Sequence, residues 1–153
     1  MTEPRRAVLD TQIVLDLLHF ADPRGATVLA AILRGDLHCF RDRSCFAELE
    51  RVVAYPRFAL DASARLALLE RYRSLSSACD APHDEQEILP RCRDGDDQKF
   101  LQLANRCRAD LLITRDRNLL RMTSDRRLSF VIVDGQRASR LLASGADAYQ
   151  GSP

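Results

Sequence analysis

The chain has 153 residues, 46% hydrophobic and 29% charged, which is the balance of one ordinary globular domain and excludes a fibrous or charge-dominated disordered chain. Its net charge of +1 neither demands nor excludes nucleic acid, and no apolar run approaches the roughly 18 residues of a membrane span. The apolar stretch between Arg6 and Asp10 is too short for a signal-peptide core, so a cytoplasmic protein is expected. Cysteines stand at 39, 45, 79, 92 and 107. Their number is odd and no pair has CxxC spacing, which favours reduced, mostly buried thiols over a zinc cluster or a disulfide frame.

Apolar runs bounded by turn signals alternate with helical patterns. Arg6–Asp10 reads as a short buried strand. A helix follows over Gln12–Phe20, carrying Ile13, Leu17 and Phe20 at helical spacing, and Asp22-Pro-Arg-Gly25 interrupts the chain. The pattern then predicts a helix over Ala26–Leu33 ended by Gly35, and a strand over Leu37–Phe40. A third helix is expected from a Ser44 cap through Val53 and is stopped by Pro56. A fourth begins at Asp61 or Ser63 and reaches about Ser77. Residues 79–93 read as irregular, with a brief strand at Glu87–Leu89. Asp96–Cys107 forms a fifth helix with Phe100, Leu103, Ala104 and Cys107 on one face. Asp110–Thr114 is a strand, Asn118–Met122 a short helix, Phe130–Val133 the last strand and Gln136–Leu142 the closing helix. Strands separated by helices imply an α/β fold, a central and mainly parallel sheet covered on both faces. Residues 1–145 read as a single domain and 146–153 as a frayed tail.

Sites on open parallel sheets form at the carboxyl ends of strands, and acids stand there. Asp10 ends the first strand and Asp116 follows the strand ending at Thr114. Asp94, Asp96 and Asp97 open a helix, and Glu48 and Glu50 lie within another. Carboxylates gathered together repel and need a compensating cation. Oxygen donors suit Mg²⁺ or Mn²⁺, and such an ion can polarise a phosphoryl oxygen and generate hydroxide from bound water. Each acid also has a structural explanation. Asp10 suits a helix cap, Asp94, Asp96 and Asp97 suit a helix N-terminus, Asp116 suits a turn, and the two glutamates suit a solvated helix face. His19, His38 and His83 are scattered without ligand spacing, and no nucleophile elbow or glycine-rich phosphate loop is present.

Four segments taken in order resemble the PIN domain. They are Asp10-Thr11 at a strand end; Ala47-Glu-Leu-Glu-Arg-Val-Val53 with Pro56-Arg-Phe58; Arg93-Asp-Gly-Asp-Asp-Gln-Lys-Phe-Leu101; and Thr114-Arg-Asp-Arg-Asn-Leu119. The resemblance runs over about residues 6–134 and looks nearest to the branch of toxins from bacterial toxin–antitoxin pairs. It implies an α/β/α sandwich and Mg²⁺- or Mn²⁺-dependent cleavage of RNA. It assigns Asp10, Glu48, Asp97 and Asp116 as catalytic and metal-holding, with Thr11, Asp96 and Thr114 beside them. One departure is that the family usually reads Asp-Thr-Asn where this chain has Asp10-Thr11-Gln12, which lengthens the amide arm and leaves Asp10 intact.

The partners implied are an RNA substrate and a small antitoxin protein, and a homodimer is compatible with the resemblance. Of the 23 basic residues only Lys99 is lysine, which reflects either phosphate recognition or genome composition. Arg115, Arg117, Arg121, Arg126 and Arg127 cluster around and beyond Asp116 and suit either an RNA backbone contact or a solvated surface. The rival readings are a processing or decay nuclease without an antitoxin, and a catalytically silent module that binds RNA or protein. A phosphoacceptor receiver domain is disfavoured because it needs a lysine after the last strand.

Overall fold

Four of the apolar runs and one short polar segment become strands of one parallel sheet: β1 (Arg5–Leu9), β2 (Leu37–Arg41), β3 (Ser76–Ala78), β4 (Leu111–Ile113) and β5 (Val131–Val133). Their order is β3-β2-β1-β4-β5, every neighbouring pair parallel. The helices are α1 (Thr11–Leu18), α2 (Pro23–Arg34), α3 (Arg43–Val53), α4 (Ala62–Leu75), α5 (Gln98–Arg106), α6 (Arg117–Leu120) and α7 (Gly135–Gln150). The structure is a computed structural model that describes residues 3–83 and 87–150, the last seven of these by backbone alone. The expected frayed tail at 146–153 therefore falls on residues whose side chains, or whose placement altogether, lie outside the described residues. The closing helix itself is longer than the Gln136–Leu142 read from sequence.

Alternation along the central strands builds two cores. Ala7 and Leu9 of β1 and Leu111 and Ile113 of β4 face a layer that includes Ile13, Leu15, Val28, Leu49 and Val53. Val8 and Leu112 face the opposite layer with Phe100, Leu101, Leu103, Leu119 and Ile132. Both faces are covered, so the strands read as continuous apolar runs rather than an alternating pattern. The result is the three-layer α/β/α sandwich that the sequence led us to expect.

Three local expectations need correction. The cap of α3 is Asp42 rather than Ser44: its extended backbone and its carboxylate, which accepts from the Cys45 N–H at 2.8 Å, start the helix one residue before Ser44. The segment Ser76–Ala78 is not the end of α4 but the edge strand β3. It has no apolar pattern to reveal it, and its ladder with β2 is reinforced by the Arg41 guanidinium, which donates to the Ser76 carbonyl at 2.6 Å. Short polar edge strands of this kind discourage pairing with other chains. Glu87–Leu89 is not a strand. Ile88 is exposed, while Glu87 accepts from the Asn105 side chain at 2.6 Å.

The same segment is tied to the start of α5. Gln98 accepts from the Cys92 N–H at 2.7 Å and donates to the Pro90 carbonyl at 3.1 Å. Across the layer, Arg106 at the end of α5 pairs with Asp42 at the start of α3 at 2.7 Å, both side chains nearly buried. These contacts set the position of α5, and so of the acids that precede it.

Candidate active site

Chain order reverses direction between β1 and β4, the switch point where open α/β sheets place their ligands. Leu9 pairs with Ile113, so Asp10 and Thr114 emerge side by side at the carboxyl edge. A cleft of about 410 Å³ opens there, with Asp10, Glu48, Asp97 and Asp116 all on its walls. The four acids proposed from sequence thus come together from four separate segments.

Asp10 fulfils its structural explanation and keeps its chemistry. It caps α1 by accepting from the Ile13 N–H at 3.0 Å, and its other oxygen accepts from the Thr114 hydroxyl. Only 6% of the residue is exposed. Burial, reinforced by the Asp116 and Glu48 charges and only partly offset by the Thr114 and Ile13 bonds, pushes its carboxyl up to about 6.

Asp97 stands at the N-cap position of α5 yet makes no capping bond, so its carboxylate is not used by the helix. Burial, followed by the Asp116, Asp94, Asp10 and Glu48 charges, pushes it up to about 6 as well. Asp116 caps α6 through one oxygen, which accepts from Asn118 and Leu119 at 2.8 and 3.2 Å. Its own N–H donates to the Thr114 hydroxyl oxygen at 3.0 Å, so Thr114 ties Asp10 and Asp116 to one point.

Glu48 reaches the cleft from the middle of α3, whereas Glu50 points to solvent. Glu48 is held from two sides. The Thr11 hydroxyl donates to one oxygen, and the Lys99 ammonium lies 2.7 Å from the other. Arg51 stands 4.0 Å from that same oxygen. Lys99 was not singled out as a partner from sequence. Its spacing was the available signal, because a residue two positions after Asp97 lies on the turn of α5 that faces α3.

The remaining candidates divide. Thr11 and Thr114 are buried and bonded to the acids. Asp96 is exposed on the 3-10 turn before α5, where its N–H donates to Asp94, and it is not on the cleft wall. Of the five arginines, only Arg115 lines the cleft, held by Gln12 at 3.1 Å and Asp16 at 3.4 Å. Arg127 is paired with Asp125 at 2.8 Å, and Arg117, Arg121 and Arg126 are exposed away from the cleft wall. Two wall residues escaped the sequence reading: Tyr55 and Arg57, which follow α3. That turn had drawn attention as a helix stop and as part of the family resemblance, with no role given to either side chain.

The donors in this cleft are oxygens only. Two carboxyls are held near pH 6 by burial and by each other, a charge excess that a divalent cation would relieve. Among the described residues, no group of three or more His, Cys, Asp or Glu side chains stands ready to hold an ion. A site of few protein ligands and several waters is the kind Mg²⁺ accepts. The residues therefore fit such an ion.

The profile of the family described as "PIN domain" matches residues 6–118, well over half of the chain. The chain belongs to the PIN domain family, whose members are generally nucleases that bind RNA and typically use divalent metals. Among solved structures it is similar to PAE2754 from Pyrobaculum aerophilum, with 17% identity over 92% of this chain and 96% of that one and a TM-score of 0.61. At that identity the likeness speaks for the fold. No curated protein matches the chain. No helix among the described residues is long and apolar enough to cross a membrane.

Proposed function

We propose that this protein is a metal-dependent endoribonuclease. The observation that carries the reading is the meeting of Asp10, Glu48, Asp97 and Asp116 in one cleft at the switch point of the sheet. Asp10, Asp97 and Asp116 would offer carboxylates to Mg²⁺ or Mn²⁺, with waters filling the rest of its shell, and Glu48, kept in place by Thr11 and Lys99, adds a further negative charge to the cleft. When bound, the ion supplies Lewis-acid polarisation of the phosphodiester and lowers the pKa of a coordinated water. Thr114 fixes the spacing of Asp10 and Asp116 by donating to one and accepting from the other. Arg115, set on the rim between Gln12 and Asp16, holds a substrate phosphate. No protein nucleophile is required.

The test is cleavage of single-stranded RNA by the purified protein with Mg²⁺, with Mn²⁺ and with excess chelator. Cleavage is expected with either ion and none with chelator; full activity in chelator would overturn the metal assignment. A thermal melt gives a second reading, because an ion bound only by the native state raises stability by mass action.

The arginines carry a separate expectation. Arg115→Ala should weaken RNA binding across sequences and lower its salt dependence by about one phosphate contact. Arg127→Ala should do so less, because Arg127 lies off the cleft wall and is bound to Asp125. Equal salt slopes for wild type and Arg115→Ala would remove Arg115 from the interface.

The narrower reading, a toxin acting with a small antitoxin, is supported by the sequence resemblance. Its test is genetic: the chain alone should arrest growth on expression, and the product of an adjacent small reading frame should relieve the arrest.

A further inference from the structure

The cleft is lined by more than the acids. Tyr55 and Arg57 also line it, from the short turn Tyr55-Pro56-Arg57-Phe58 that follows α3. Phe58 is buried and anchors the turn against the His19 and Phe20 rings, at centroid distances of 5.8 and 6.0 Å. The Arg57 guanidinium lies over two rings, 4.8 Å from Phe58 and 5.6 Å from Tyr55. Tyr55 is 40% exposed. Among the described residues, none hydrogen-bonds the Tyr55 hydroxyl, and no carboxylate pairs with Arg57.

We infer that Tyr55 and Arg57 form a stacking platform for one unpaired nucleobase of the RNA whose phosphodiester lies at the acids. This rests on the ribonuclease reading above. An aromatic face with an adjoining planar cation is what a splayed base seeks, and stacking tolerates any base because each has a π-face. The contact of the Arg57 guanidinium with the Phe58 ring favours a planar arrangement and so lowers the ordering cost of stacking. A duplex cannot use the platform, because its bases are already stacked on one another. The cleft therefore selects single-stranded RNA, and the acids supply no such preference.

The experiment measures binding apart from cleavage. In an Asp116→Asn background with Mg²⁺, single-stranded oligonucleotides carry the fluorescent base 2-aminopurine at successive positions. One position beside the cleavage site, mapped with the wild-type enzyme, should be quenched on binding. Tyr55→Phe should keep the quench. Tyr55→Ala and Tyr55→Leu should lose it and weaken binding by about fivefold or more, the lower end of base–aromatic stacking. Arg57→Ala should weaken binding similarly, and Arg57→Lys should restore less than half of the loss. Matching thermal melts establish that each variant is folded. An unchanged quench and affinity in folded Tyr55→Ala and Tyr55→Leu, with wild type still cleaving RNA, would overturn the platform and leave the ribonuclease reading standing. Failure of wild type to bind or cleave any RNA would overturn both.

Discussion

Asparagine in place of Asp10 is expected to raise the melting temperature of the metal-free protein at neutral pH while abolishing cleavage. In the unfolded chain the carboxyl titrates near 3.8; in the fold it titrates near 6. Between these values the native state retains a proton that the unfolded state has released, so stability falls as pH rises from about 4 to about 6 and stays low above that. A shift of about two units corresponds to on the order of 2–3 kcal/mol at pH 7.5. Asparagine never ionises, and its amide can satisfy the same neighbours: the oxygen accepts from the Ile13 N–H while the nitrogen donates to the Thr114 hydroxyl. For a chain of this size the gain amounts to several degrees. Thermal melts of both proteins in chelator at pH 4.5 and 7.5 check it: the gap should open with pH, and Mg²⁺ should stabilise the wild type more than the variant. A gap that is absent at pH 7.5, or constant with pH, would show that the buried charge is not unfavourable.

Glu48→Gln is expected to lower cleavage at saturating metal by at least about tenfold, roughly 1.4 kcal/mol of transition-state stabilisation. Glu50→Gln should remain near wild type. The two residues flank the apolar stripe of α3 at similar angles, but only Glu48 reaches the cleft, where Thr11 and Lys99 grip it. Glutamine keeps a bond to one of those partners and leaves the Lys99 ammonium facing an uncharged amide. Purified variants with matching melts should be compared on the same RNA. An inactive Glu50→Gln beside an active Glu48→Gln would reverse the assignment.

The sandwich was legible because its central strands are buried on both faces, and Ala7-Val8-Leu9 and Leu111-Leu112-Ile113 have no other explanation. The acids were legible as points along the chain, since Asp10 and Asp116 fall at strand ends. Their meeting was legible only through the family resemblance and not from the residues themselves, because it depends on the crossover that places β4 beside β1. The helical wheel of α3 left Glu48 and Glu50 equivalent; packing against α5 distinguishes them, since Lys99 comes from that helix. Ser76–Ala78 stayed hidden because an edge strand held by backbone pairing needs no apolar signature. The five arginines around and beyond Asp116 looked alike in sequence. Local pairing separates them: Arg127 is bound to its neighbour Asp125, whereas Arg115 is drawn by Gln12 and Asp16 onto the rim.

The two ion pairs between α3 and α5 have a mechanical consequence. Arg106 joins Asp42 at one end of the pair of helices, and Lys99 joins Glu48 further along. Two rivets stop what one would allow, namely pivoting. The helices that present Glu48 and follow Asp97 therefore move as one piece, and that side of the cleft behaves as the fixed jaw of a vise. The opposite side of the cleft, the Arg115–Asp116 corner, leads into shorter elements, the four-residue α6 and the four-residue 3-10 turn Arg121–Ser124.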